Sequence, residues 1–81
     1  MLSGIAKAEV LSYVAMRGTV GSSELATALG YSTRSGAAAT LLRLHVQGKL
    51  KRRREGSAYV YTISDQGRTW LWYAQRRLHR W

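Results

Sequence analysis

Residues 50–63 read LKRRREGSAYVYTI, and the fold turns on them. The stretch has two halves of opposite character on either side of Glu55-Gly56-Ser57. Lys51, Arg52, Arg53 and Arg54 stand in a row before it, and the β-branched and aromatic run AYVYTI follows it. Such runs fit a pleated, half-buried surface, and glycine supplies the positive φ that a tight turn between strands demands. The stretch therefore predicts a hairpin. Alternation puts Tyr59, Tyr61 and Ile63 on one face and Val60 and Thr62 on the other, with Tyr61 and Ile63 turned inward. The cationic run has two readings: an edge kept soluble and unpaired by charge, or a surface that meets a polyanion.

Working outward, the residues after the hairpin predict a helix over 65–80. Ser64 suits its N-cap and Asp65 its first turn, where negative charge is favoured. Gly67, Leu71, Ala74 and Leu78 form one stripe with Trp70 and Trp81 beside it, while Thr69, Trp72, Arg76 and His79 point away. Trp72 on the polar side calls for cover from the hairpin, a second subunit or a partner.

On the other side of the hairpin a helix is predicted over 33–47, capped by Ser32 or Thr33 and closed by Gly48. Ala37, Leu41, Leu44 and His45 mark its core side; Ser35, Gly36, Ala39, Thr40, Arg43 and Gln47 lie opposite. A shorter helix precedes it over 22–29, with Leu25, Ala26 and Leu29 as its stripe and Gly30 at its end. Gly21 and Ser22 are the candidates for its N-cap; with Gly21 there, Glu24 falls at the third helical position, where a capping box places it, and Val20 can staple against Leu25. Thr19-Val20 is a short extended link, and a first helix covers 5–17 with Val10, Leu11 and Val14 inward.

The charge is lopsided. Thirteen Lys and Arg stand against four Asp and Glu, a net of +9. Residues 1–40 carry only a net +1, and residues 41–81 carry +8. A polyanion is the natural partner for such a half. A membrane surface is the competing polyanion, and only the last helix approaches the basic amphipathic character it requires. No apolar run approaches the roughly 20 residues of a membrane span. There is no cysteine, hence no disulfide or cysteine-based zinc site, which leaves the redox compartment open. The first residues lack the basic-then-apolar order of a secretion signal, so the expectation is a cytoplasmic protein, nucleoid-associated if prokaryotic.

The expected architecture is α+β and mainly α. It is a single domain over residues 1–81: three helices, a two-stranded β-hairpin wing and a C-terminal fourth helix, a winged helix-turn-helix. Three pieces resemble bacterial and archaeal winged-helix regulators of the MarR, PadR and ArsR type. They are Glu24-Leu25-Ala26 with Leu29-Gly30, Leu41 to Leu44 running on to Gly48-Lys49-Leu50, and Tyr61-Thr-Ile-Ser-Asp-Gln-Gly-Arg68. Together they span most of residues 10–71. The resemblance implies that the third helix enters the major groove of double-stranded DNA and that the hairpin reaches an adjacent groove or phosphates. By position, Ser35, Gly36, Ala39, Thr40 and Arg43 would face DNA from the helix, and Lys51, Arg52, Arg53, Arg54 and Ser57 from the wing. Ser32 or Thr33 would hold a phosphate through backbone N–H groups. The exposed helix face is poorer in long side chains than in many sequence-specific members, and nothing resembles an effector domain.

Arg34 and Arg43 are the candidates for a guanine edge, which an arginine can hold through two hydrogen bonds; phosphate is an equal alternative for either. Ala37, Ala38 and Ala39 suit close helix packing better than contacts to thymine methyls. Tyr31, Tyr59 and Tyr61 could stack on unpaired bases, but a core place suits Tyr61 better. His45 and His79 are too isolated from acidic residues to suggest a metal, and no catalytic constellation, cofactor motif or small-molecule effector site is visible. Ile5, Met16, Trp70, Trp72, Leu78 and Trp81 offer more apolar surface than so short a chain easily hides, which predicts a homodimer through the first and last helices. The expected function is a small DNA-binding transcriptional regulator. The alternatives are a nonspecific, shape-reading architectural protein and a winged-helix module whose partner is an acidic protein.

Overall fold

The structure is a computed structural model that describes residues 6–78, with Leu78 by its backbone alone. Helices α1 (Lys7–Arg17), α2 (Ser22–Leu29) and α3 (Arg34–Val46) come first. Strands β1 (Leu50–Glu55) and β2 (Ala58–Ile63) and helix α4 (Asp65–Leu78) follow. This is the mainly helical winged helix-turn-helix that the sequence leads one to expect. The hairpin pairs Leu50 with Ile63, Arg52 with Tyr61, Arg54 with Tyr59 and Glu55 with Ala58. Only Gly56 and Ser57 lie outside the paired ends, and Gly56 has φ 64°, in the region that favours glycine.

The core sits where the apolar stripes converge. Val10, Leu11 and Val14 of α1, Val20 of the link, Leu25 of α2 and Ala37 and Leu41 of α3 are fully buried. Leu44, Leu50, Tyr61, Ile63 and Leu71 close it from α3, the hairpin base and α4. Burial of each large aliphatic side chain contributes roughly 1.5–3 kcal/mol. Helix α2 packs on α3, α1 on α4 and β2, and α3 on β1.

Three local devices position these elements. Thr33 caps α3, its Oγ1 accepting the Gly36 N–H at 3.0 Å. Ser64 caps α4, its Oγ accepting the Gly67 N–H at 3.0 Å while donating to the Gly48 carbonyl at 2.6 Å. Gly67 follows from this corner: a Cβ there would collide with the Lys49 carbonyl oxygen and crowd Ile63. The helix start thus sits directly on the turn between α3 and β1.

Two expectations change. Glu24 does not close a capping box over the start of α2. Gly21 is the N-cap without a side-chain bond, and the Glu24 carboxylate turns to α1. There it accepts from the Tyr13 hydroxyl at 2.7 Å and from Arg17 Nε at 2.9 Å. A pair of partners from the neighbouring helix outweighs one local backbone N–H. The link at Val20 is also more than a connection. Val20 and Tyr61 exchange two backbone hydrogen bonds of 2.9 Å, so the link lies along β2 as a single-residue third strand. Val20 and Leu25, the pair expected to staple, are both fully buried in the core.

Candidate nucleic-acid interface

Helix α3 turns a face rich in small residues to solvent. Arg34, Ser35, Ala39 and Arg43 are exposed, and Gly36 and Thr40 are half-buried. Two polar groups of this face are already bonded. The Thr40 hydroxyl donates to the Gly36 carbonyl at 3.1 Å, leaving its oxygen as an acceptor and its methyl as a contact. The Gly36 N–H is taken by Thr33. The amides of Arg34 and Ser35, in the first turn, have no intrahelical acceptor. With exposed Ser32 and Thr33 beside them, they form the anion-attracting end of α3.

The wing differs in every respect. Lys51, Arg52, Arg53, Arg54 and Ser57 are all exposed. Leu50, Tyr61 and Ile63 at its base are buried, so the cations stand on a rigid foundation. Period two divides them. Arg52 and Arg54 continue the face that buries Leu50, Tyr61 and Ile63; Lys51, Arg53 and Glu55 lie on the other. On the inner face the Arg52 and Arg54 guanidinium carbons lie 4.2 and 5.6 Å from the centroid of the same ring, that of Tyr59. On the outer face Arg53 forms an ion pair with Glu55 at 2.6 Å.

Helix and wing are joined by a residue whose part the sequence did not show. His45 Nδ1 lies 2.9 Å from the Leu50 carbonyl, which only accepts, so Nδ1 carries the proton of this bond. The ring meets Tyr61 edge-on, with centroids 6.4 Å apart. His45 thereby ties the last turn of α3 to the first residue of the wing. The only sequence signal for it was its place beside the apolar stripe.

Beyond the wing, α4 carries a second aromatic and cationic cluster. Trp72 is 51 % exposed and Tyr73 62 % exposed, their rings edge to face with centroids 4.9 Å apart. Arg76 lies over Trp72 at 4.6 Å. Trp70 is turned the other way: it packs against the core, with the Lys7 ammonium 4.5 Å from its ring centroid. That ammonium also donates to Gln47 at the end of α3, at 3.0 Å. Burial, and then the neighbouring Lys49 charge, lower the Lys7 pKa.

Of the residues expected at a dimer interface, Met16 is 75 % exposed, Trp72 is exposed, and Trp70 is largely engaged within the chain. Ile5, Trp81 and the side chain of Leu78 lie outside the described residues. Met16 borders an open groove of about 420 Å³ lined by Ala8, Ser12, Tyr13, Leu29 and Gln75. Among the described residues, no helix is long and apolar enough to cross a membrane.

No family model and no curated protein matches the chain. Among solved structures it is similar to the transcriptional regulator BldR from Sulfolobus solfataricus, with a TM-score of 0.73 and 22 % sequence identity. The match covers 88 % of this chain and 52 % of that one, so the chain spans about half the length of that regulator. At this identity the likeness is one of fold.

Proposed function

We propose that this chain binds double-stranded DNA as a small transcriptional regulator, with α3 in the major groove and the wing on the adjacent groove or its phosphates. The observation that carries this reading is the wing. Four consecutive cations are exposed on a hairpin whose base is buried in the core and bonded to the end of α3. The charge attracts phosphates, and the rigid base holds it beside a helix whose exposed face is small enough to lie close to base edges. That BldR, which shares the fold, is a transcriptional regulator agrees with this reading.

Exposed Met16 and Trp72, with the groove between α1, α2 and α4, support a homodimer. Two copies of α3 would then meet half-sites about one helical turn, roughly 34 Å, apart. Sedimentation that finds only monomer at high concentration removes that part of the proposal.

The decisive experiment is selection of bound sequences from a random duplex pool at two salt concentrations. A regulator returns an enriched motif. If about six phosphates are neutralised, log affinity falls against log salt with a slope near −5. Absence of duplex binding even at low salt contradicts the proposal. The short side chains of α3 favour a second reading, a shape-reading architectural protein. Equal affinity for selected and random duplexes would establish that version instead.

A further inference from the structure

The arginines of the wing are adjacent in sequence but differ in their surroundings. Arg52 and Arg54 share one face with Tyr59, which lies directly across from Arg54 and diagonal to Arg52. Both guanidinium groups lie near its ring, at 4.2 and 5.6 Å from the centroid. No acidic residue lies on that face of the hairpin. Arg53 lies on the opposite face with Lys51 and Glu55, and Glu55 holds its guanidinium at 2.6 Å. The inner face therefore carries a net charge of +2 and the outer face +1.

We propose that Arg52, Tyr59 and Arg54 form a preorganised two-pronged phosphate grip. Tyr59 is its positioning residue, and Arg53 is set apart from it by Glu55. The proposal rests on the DNA-binding reading above and deepens it. Two residues apart on a strand, the arginine Cα atoms are separated by about 6.6 Å. That is of the order of the spacing between successive phosphates on one strand of a duplex. A guanidinium near an aromatic face keeps its N–H edge free for a bidentate bond to a phosphate, while the ring restricts the rotamers of its long stem. Less rotamer freedom then has to be lost on binding. A phosphate approaching Arg53 meets the Glu55 carboxylate as well, so that cation contributes less. The grip lies on the same sheet face that buries Leu50, Tyr61 and Ile63 against the helices, so its place relative to α3 is fixed by the core.

The test is duplex affinity against salt for the full chain and the variants R52A, R53A, R54A, Y59F and Y59L, with thermal unfolding of each. R52A and R54A are each expected to reduce the magnitude of the log–log slope by about 0.9, and R53A by much less. Y59L is expected to weaken binding about two- to fivefold, in line with the loss of cation–π contacts at an exposed site, and Y59F to restore it. That loss should vanish when Arg52 and Arg54 are already alanine. A structural role for Tyr59 alone would lower the melting temperature and add its loss to that of the arginine variants, which would overturn the proposal. Equal slope changes for all three arginines would overturn it too. A wild-type chain that binds no duplex removes both this proposal and the DNA-binding reading. One that binds while the three arginine variants fall alike removes only this one.

Discussion

Helix α3 and the wing stand side by side, tied by the His45–Leu50 bond, yet they present opposite chemistry to solvent. Between Arg34 and Arg43 the outer face of α3 carries Ser35, Gly36, Ala39 and Thr40 beside the exposed Leu42, and two of its polar groups are already bonded at the helix start. The wing carries four cations on six residues of β1. Under the proposed function the two divide the work of binding. A face of short side chains approaches closely but offers few hydrogen bonds that discriminate bases. A row of arginines attracts any duplex and discriminates little. The contrast also explains why Ser64 and Gly67 matter. Their corner sets the end of α3, the start of β1 and the start of α4 against one another.

The most severe way to break the comparison is G67A, which should remove both regions at once. Its methyl would meet the Lys49 carbonyl oxygen, a backbone atom with little room to yield. A loss of about 3 kcal/mol or more in denaturant unfolding is expected, in the range of large steric and backbone effects. A variant as stable as wild type would break the account of the corner. Next, R52A/R54A should separate the wing from the helix. Loss of two charge-assisted contacts is expected to weaken duplex binding on the order of a hundredfold, with unfolding changed by less than about 1 kcal/mol. A smaller effect follows from R43A. If Arg43 reads a guanine, preference at one position relaxes by about 1–3 kcal/mol; if it holds phosphate, all duplexes weaken together. Site selection with the variant distinguishes the two.

The smallest effect is one of pH, and it arises where α2 meets α1. The Tyr13 hydroxyl, followed by Arg17, holds the Glu24 carboxyl below its ordinary value of 4.5, against a burial effect that raises it. The depressed value means that this contribution to stability is full above the ordinary value and is lost as pH falls through the folded one. The bond to Glu24, then burial, raise the Tyr13 pKa above 10.0, so its contribution is full below that value and fades as pH rises through the folded one. E24Q should flatten the acid limb of the stability curve and cost below about 1 kcal/mol at neutral pH, since the Arg17 pair is solvent-screened. An acid limb unchanged in E24Q would place the sensitivity elsewhere.

The fold was legible because its signals are local. The run 58–63 has the strand period, Thr33 and Ser64 are N-cap residues at the starts of apolar stripes, and the stripes of all four helices contain their buried residues. What escaped depends on residues distant in sequence or on register. Glu24 obeys a capping rule on paper but meets Tyr13, 11 residues away. The partnership of Val20 with Tyr61 cannot be read from one extended residue. The division of the wing cations was half visible: alternation separates Arg53 from Arg52 and Arg54, but only the register puts Tyr59 opposite one and diagonal to the other.

The most direct test of the division between helix and wing compares the affinities of wild type and R52A/R54A for a selected duplex and a random one. The prediction is that both affinities fall by the same factor, that their ratio is unchanged, and that the magnitude of the salt slope drops by about 1.8. A ratio that collapses toward one, while random-duplex affinity and its salt slope stay at wild-type values, would contradict the account.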